Sequence, residues 1–589
     1  MARICQLVEG LPLGVELAAA RTRVRSCQEI AREIERNLDI LSTDLRNVPA
    51  RQRSIRATFE HSWQLLAQEE QDLLAQLSAF CGGFRREAAL QVTGASLSTL
   101  LALIDKSLVR RVGTDRYDMH GLLTQYAADK LRESPQQREK TETQHARYYT
   151  AFLEQQTEHL GQAKGKDDFR ELALEIENAR RAWQLAVAHD RAPLVERSLE
   201  SLYLFYDVQC RFQEGIQLFA GAIDHWNGDV RRQRILGKLL SRQGALYLQL
   251  CHYGRARAAL ERSHALFESL GITAGQIFCL VNMASVARRQ GSYEEAVRLS
   301  TRSLALSRQT EDDWGIAHSL LQLGIVRYRR GDVNGAEALL EESLVIVQEG
   351  ENPRLVIAHL NLLGDVACHR GDYAAGQSLF ERCLALTREL GNQFKTALVL
   401  NNLGTVFHVR EKVEDALSAY QESLDICREI GDRRGQAIAL SNLGEVAYTL
   451  GAYHKALAYH HEALSIGRDI QDQRTTLACL NNLGETACAL ENYTAAQAHL
   501  AEALDVAAQI QVVAMQLKIL VNLAVLFARQ GQKEQAATLL GLACRHPASH
   551  RETQEKAERL LDELDLPLPH RAPESLEAVI AEVLMNAGP

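Results

Sequence analysis

The sequence predicts a mostly α chain: a smaller N-terminal part followed by a right-handed α-solenoid of helix pairs with a 40-residue period. Three ladders predict the solenoid. A small residue recurs at Gly244, Ala284, Gly324, Gly364, Gly404, Gly444, Gly484 and Ala524. A second small residue follows twelve places on, from Ala256 through Ala296, Ala336, Gly376, Ala416, Ala456 and Ala496 to Ala536. A leucine recurs eight further on, at Leu304, Leu344, Leu384, Leu424, Leu464 and Leu504. Repetition at this interval means that each unit cannot bury its apolar face alone and must stack on the next.

One copy, Ala397 to Gly431, carries the physical reading. Leu400, Leu403, Gly404 and Phe407 share one face of a first helix, A, with Asn402, Thr405 and Val409 roughly opposite. Glu411-Lys412 interrupts the pattern where sister copies have Gly371-Asp372-Tyr373 or Gly291-Ser292-Tyr293, a glycine to end one helix and a polar residue to cap the next. The second helix, B, is expected from about Val413 to Ile430, with Gly431-Asp432 as the next stop. The Gly and Ala sites let A and B approach closely.

The Leu-Gly of helix A, the Gly-Asp-Tyr turn and the Ala of helix B resemble the tetratricopeptide repeat, as in Leu363-Gly364, Gly371-Asp372-Tyr373, Leu443-Gly444 and Gly451-Ala452-Tyr453. The period exceeds that family's usual length, which implies longer helices. A more diverged copy is expected at Tyr203 to Ile223, where Phe212, Gly215 and Phe219 keep the phase.

The chain of 589 residues is 46% hydrophobic, ample for several cores. A formal charge of -9 argues against an overall field that attracts DNA or anionic lipid. The twelve cysteines contain no CxxC pair and read as small core residues in a reducing cytosol. Glu9 and Glu16 interrupt the first apolar stretch, which excludes a signal peptide, and no apolar run reaches membrane-spanning length. A cytoplasmic location is expected, with no membrane partner.

In chain order, Met1 to Arg21 reads as a turn followed by an amphipathic helix with Pro12 in its first turn. The string Glu9-Gly-Leu-Pro-Leu-Gly-Val-Glu-Leu-Ala-Ala-Ala-Arg21 resembles the GLPL motif of STAND-type signalling ATPases, the group that includes NB-ARC proteins and bacterial transcriptional regulators. The resemblance implies that Pro12 lies against the adenine of a nucleotide. Helices from Ser54 to Leu66 and Gln68 to Phe80, a turn at Cys81-Gly82-Gly83-Phe84, a helix from Leu97 to Lys106 and a hairpin around Gly113 resemble the winged-helix domain that follows this motif. Met119-His120-Gly121 resembles the family's MHD motif, which implies that His120 senses the phosphates of bound ADP. Gly121 stands where the family prefers an acid. Read without the family, His120 is a hydrogen-bonded histidine at a helix start.

Between Arg51 and Glu133 there are eleven basic and ten acidic residues, and the helix expected to face DNA, Leu97 to Lys106, holds one of each. A DNA reader needs a basic face, so direct nucleic-acid binding is not expected. Ser134-Pro135 marks the next boundary. Helices from Glu139 to Leu160 and Phe169 to His189 flank a polar linker, and Glu175-Ile-Glu-Asn178 resembles the segment that joins winged helix to repeats in these regulators. Ala536 to Gly541 and Leu566-Pro567-Leu568-Pro569 resemble their closing segment. The expected domains are 1–50, a helical remnant of the ATPase module; 51–133, the winged helix; 134–200, a helical linker; 201–550, the repeats; and 551–589, capping helices.

A STAND ATPase needs a phosphate loop, GxxxxGK[ST]. Gly161 to Lys166 is one residue short of it, and Gly237-Lys238 lacks the upstream glycine. The family places that loop well before the GLPL motif, so the expectation is a chain without the nucleotide-binding core. Pro12 and His120 would complete an ADP or ATP site only with a phosphate loop from another chain, or else are relics of a site that was lost. No GxSxG, HExxH or GxGxxG occurs, and His454, His460 and His461 read as solvated or packed, with no metal expected.

The expected activity is binding, in the groove lined by the A helices. Two places before the repeat glycine stand Asn282, Gln322, Asn402, Asn442, Asn482 and Asn522. Asparagine is a middling helix former, so its recurrence asks for a partner for its amide. That partner is either the backbone of a bound peptide, as the resemblance implies, or the neighbouring repeat. Glu445, Glu485 and Tyr448 lie on the same face, and Arg288, Arg289 and Arg329 toward the first repeats. The expected groove grips a peptide or protein and is basic at its start and acidic at its end. Two functions follow: the non-catalytic sensor and effector half of a STAND-type regulator, or a free-standing repeat scaffold that assembles other proteins.

Overall fold

The computed structural model describes residues 2–22, 25–42, 54–161, 166–349, 353–510, 512–546, 548–549, 551–564 and 575–586. The expectations at Arg51, Gly165 and Leu566 to Pro569 lie outside the described residues. The chain divides into two compact units, Met1–Gln322 and Leu323–Pro589, at a point inside the repeats that none of the expected boundaries marks. In a stack where each pair meets mainly its neighbours, every pair carries the same kind of contact and no sequence punctuation accompanies such a division.

The first unit opens with the short helix Ala2–Leu7, then a turn in which Glu9 and Gly10 take φ of 44° and 73°, then the helix Pro12–Arg21 with Pro12 in its first turn. The helix Ala2–Leu7, which precedes the turn expected at Gly10 to Leu13, has no counterpart among the expected elements. Helices Ile55–Gln64, Gln68–Leu77, Arg86–Thr93 and Leu97–Asp105 follow, with a three-stranded antiparallel sheet in which Arg116–Asp118 lies between Phe84–Arg85 and Arg110–Arg111. The strand Phe84–Arg85 and the helix Arg86–Thr93 were not expected. Two residues are too short for an alternating pattern to register, and the helix buries only Ala88, Ala89 and Val92.

Two long helices, Pro135–Gly161 and Lys166–Ala188, carry the chain to the repeats. The second grips the small sheet through the residues singled out above. The Asn178 amide donates to the Gly83 carbonyl (2.8 Å) and its oxygen accepts from the Cys81 N–H (2.7 Å). Glu175, with 2% of its side chain exposed, pairs with Arg116 and accepts from the Tyr149 hydroxyl (3.0 Å) and the Asn178 amide (3.0 Å). Buried carboxylates persist only when paired and fully hydrogen-bonded, and burial beside this one pushes the Tyr149 phenol well above its ordinary pKa.

The repeat array keeps its period to the residue. The A helices begin at Gln233, Thr273, Asp313, Pro353, Gln393, Arg433, Gln473 and Val513, and the B helices at Tyr253, Tyr293, Val333, Tyr373, Val413, Tyr453, Tyr493 and Lys533. The diverged copy is the pair Ala192–Val208 and Phe212–Trp226. Between A and B one residue takes the left-handed conformation: Gly291, Gly371 and Gly451 at φ 84°, 86° and 74°, and Glu411 at 60° where the glycine is lacking. The tertiary frame thus imposes the same turn on a residue that does not favour it.

The ladder glycines are windows between A and B. A Cβ on Gly364, Gly404, Gly444 or Gly484 would lie 2.6, 2.5, 2.4 or 2.5 Å from Phe380, Tyr420, His460 or Leu500, each sixteen residues on in the same pair's helix B. At Gly324 the neighbour, Leu340, stands back at 3.2 Å. The glycine is therefore demanded by the side chain that lies on it, and the demand varies between copies. All twelve cysteines are free thiols; Cys279, Cys383, Cys427, Cys479 and Cys488 are buried, whereas Cys5 and Cys81 are exposed and not core residues. No single helix among the described residues is long and apolar enough to cross a membrane.

Candidate functional site

In the second unit, the A-helix face of the last repeats forms a pocket of about 210 Å³. Its walls include four residues expected on that face, Glu445, Tyr448, Asn482 and Glu485, together with His408, Thr449, His460, Thr486, Lys518 and Lys556. The helices Arg433–Thr449 and Gln473–Ala489 supply the first four, 40 residues apart or one turn further, because the stack sets equivalent A positions side by side.

The asparagines bridge successive A helices. Asn402 donates to Asn361 (2.9 Å), Asn442 to Asn401 (3.3 Å) and Asn522 to Asn481 (2.9 Å), each 41 residues back. Asn482 donates to Ser441 (3.4 Å) and to the Glu445 carboxylate (2.9 Å). The recurring amide N–H is thus engaged by the neighbouring repeat. The acceptors, Asn361, Asn401, Ser441 and Asn481, form a second polar ladder one place before the first, legible in the sequence at the same step of 40. In the first unit Asn282 donates to its own helix at the Phe278 carbonyl (2.8 Å), and Gln322 accepts from Arg288 (2.9 Å).

The expected charge pattern needs correction. Arg289 donates to the Leu248 carbonyl (3.1 Å), so Arg288 and Arg289 are tied to neighbouring repeats. Arg329 belongs to the second unit and faces Asp365, whose carboxyl burial raises to about 7 against the pull of that guanidinium. The end is not simply acidic. Lys556, from the helix Arg551–Glu563, places its ammonium 2.9 Å from Glu485 Oε1 and 3.1 Å from Asn522 Oδ1, and Lys518 lines the same pocket. A lysine that far along the chain carries no sequence signal of where it folds back.

Of the three histidines expected to be solvated or packed, His460 lies on the inner side of the helix Tyr453–Asp469. It is 1% exposed, lies on Gly444, and has an Nδ1 without a hydrogen-bond partner. Sister copies carry Leu340, Phe380, Tyr420 and Leu500 at this place, so the imidazole is the polar exception. Burial lowers its pKa from 6.5 to about 4, and Glu485 acts the other way. The folded state therefore holds the ring neutral while the unfolded chain protonates at its ordinary value, so this stability is present above about pH 6.5 and lost as pH falls toward 4. His460→Leu should reduce the drop in melting temperature between about pH 7 and pH 5; an unchanged drop in thermal melts at the two pH values would contradict it. His454 and His461 are exposed. No group of His, Cys, Asp and Glu among the described residues could hold a metal ion.

In the first unit, Pro12 is exposed at a helix start and His120 caps the helix Gly121–Arg132, its Nδ1 accepting from the Leu122 N–H (3.1 Å). The two segments meet through Glu9, whose carboxylate accepts from the Gly121 N–H (2.9 Å) and pairs with Arg110 (2.9 Å). A carboxylate thus sits on the amide end of that helix, where it would repel a phosphate. These residues by themselves do not fit a nucleotide. Lys238 of the glycine-lysine pair lies within a helix and binds Glu196 (2.7 Å).

Residues 276–349, 355–429 and 395–469 match one tetratricopeptide repeat profile and residues 476–510 a second. A Mycobacterium tuberculosis protein provisionally named an HTH-type transcriptional regulator is 30% identical over 234 residues, 38% of this chain and 26% of its own length. An uncharacterised Mycobacterium bovis protein is 33% identical over 143 residues, 22% of this chain and 36% of that protein. The matched stretches thus span between a quarter and about a third of these relatives. Among solved structures, a Signal Transduction ATPase with Numerous Domains protein with a tetratricopeptide repeat sensor, from Pyrococcus horikoshii, is 17% identical at a TM-score of 0.38, over 97% of this chain and 74% of its own. The quorum sensor NprR from B. thuringiensis is 14% identical at 0.41, over 63% and 99%. The helix pairs between residues 276 and 510 are tetratricopeptide repeats.

Proposed function

We propose that this chain is a non-catalytic binding module whose A-helix face takes a polypeptide, and that it serves as the sensor and effector part of a cytoplasmic regulator of the STAND type. The observation that carries the reading is the pocket on that face, where Glu445, Tyr448, Glu485, Lys518 and Lys556 converge. Concave sites with a few convergent polar groups are the usual places of recognition. The provisional name of the mycobacterial relatives supports the regulatory part. The helices and three-stranded sheet at 54–133 are read as a winged helix that relays the state of the repeats, since its balanced charge does not suit a DNA phosphate backbone. A nucleotide would enter this scheme only with a phosphate loop from another chain.

The test is a random peptide library displayed against the full chain, followed by Thr405→Arg and Thr449→Arg, both exposed on the A-helix face. Selected peptides should lose about tenfold or more in affinity for the variants, as expected when bulk and charge enter the centre of an interface. Peptides that bind both variants as tightly as the parent, in proteins that melt at the parent temperature, would place recognition elsewhere.

A further inference from the structure

We infer that the pocket at Glu445 and Glu485 is a receptor for one cationic side chain, Lys or Arg, presented by a polypeptide partner, and that Lys556 is an intramolecular placeholder for it. The inference rests on the A-helix face being the binding face and names the chemistry recognised there. Two carboxylates, Glu445 and Glu485, line the pocket, and His460 borders it with its ring buried on Gly444. Such a set asks its ligand for N–H donors.

An ammonium already fits. Lys556 stands 2.9 Å from Glu485 and 3.1 Å from Asn522. Its side chain is 33% exposed, while its helix is held through Ala557 and Leu561, which are 0% and 4% exposed in the apolar core. The ammonium can therefore swing away while the helix stays docked. With Lys556 in place, two lysines face two carboxylates; with Lys556 withdrawn, Lys518 alone opposes Glu445 and Glu485. One negative charge is then in excess, which suits a single monocation.

The probes are the peptide acetyl-Gly-Ala-Arg-Ala-Gly-amide and its citrulline counterpart, which keeps the shape and loses the charge. They are titrated by ligand-observed NMR into the full-length parent, Lys556→Met, Glu485→Gln and the double variant. Lys556→Met should bind the arginine peptide about tenfold tighter than the citrulline peptide and more tightly than the parent does, the difference expected of a charge-assisted hydrogen bond. The double variant should bind both alike. In the parent the preference should be weaker, and Glu485→Gln should remove it, so the assignment stands or falls even if Lys556→Met melts early. Equal binding of the two peptides by Lys556→Met, no binding by it, or an arginine preference that survives Glu485→Gln would overturn it. Equal binding abolished by Thr449→Arg would leave the groove reading standing while removing the cation assignment.

Discussion

Glu175→Ala should destabilise the N-terminal part of the first unit by about 3–5 kcal/mol, the cost of removing one member of a buried, hydrogen-bonded ion pair. The carboxylate holds Arg116 and the Tyr149 hydroxyl at once, and with it gone the Arg116 guanidinium, 18% exposed in the parent, loses its charge partner. Asn178→Ala should cost about 2 kcal/mol, since it leaves the part-buried Cys81 N–H and the buried Gly83 C=O without their partners. Hydrogen exchange at residues 81–85 and 116–118 reads both, because it reports the opening of this part by itself. Protection in Glu175→Ala equal to that of the parent would refute the clamp. The joint between sheet and linker would then rest on apolar packing alone.

The same substitution at two ladder glycines should give opposite results. Gly404→Ala places a methyl 2.5 Å from the Tyr420 ring, which is 2% exposed and tied by its hydroxyl to Thr405 (3.1 Å). The ring has no room to give, and overpacking of this kind costs about 1–3 kcal/mol. Gly324→Ala meets Leu340 at 3.2 Å, a gap that a few tenths of an ångström relieve, and replacing a mid-helix glycine gains up to about 1 kcal/mol. Urea unfolding of each variant should thus show a loss for Gly404→Ala and no loss, or a gain, for Gly324→Ala. Equal losses at both would mean that the glycine is required by the backbone and not by the side chain lying on it.

Much of the architecture was legible because a repeat states its own rule eight times. The step of 40 fixed which residues become A and B helices, where the turns fall and which face is apolar, and each is a local property of spacing and of Gly, Asp and Asn at helix ends. Glu411 shows the limit of local reading: alone it does not favour the left-handed turn, yet the stack imposes it. The sequence also placed Glu445, Tyr448, Asn482 and Glu485 on one face, since equivalent A positions must align. Only the tertiary structure decided what those residues do there. Whether the asparagine amides faced a ligand or a neighbour was open until the second ladder, Asn361, Asn401, Ser441 and Asn481, was set beside them. Lys556 meets Glu485 from 71 residues away, and Glu9 meets Gly121 across 112. Periodicity carries no record of such contacts, because they depend on where a non-repeated helix or turn comes to rest and not on any pattern within it.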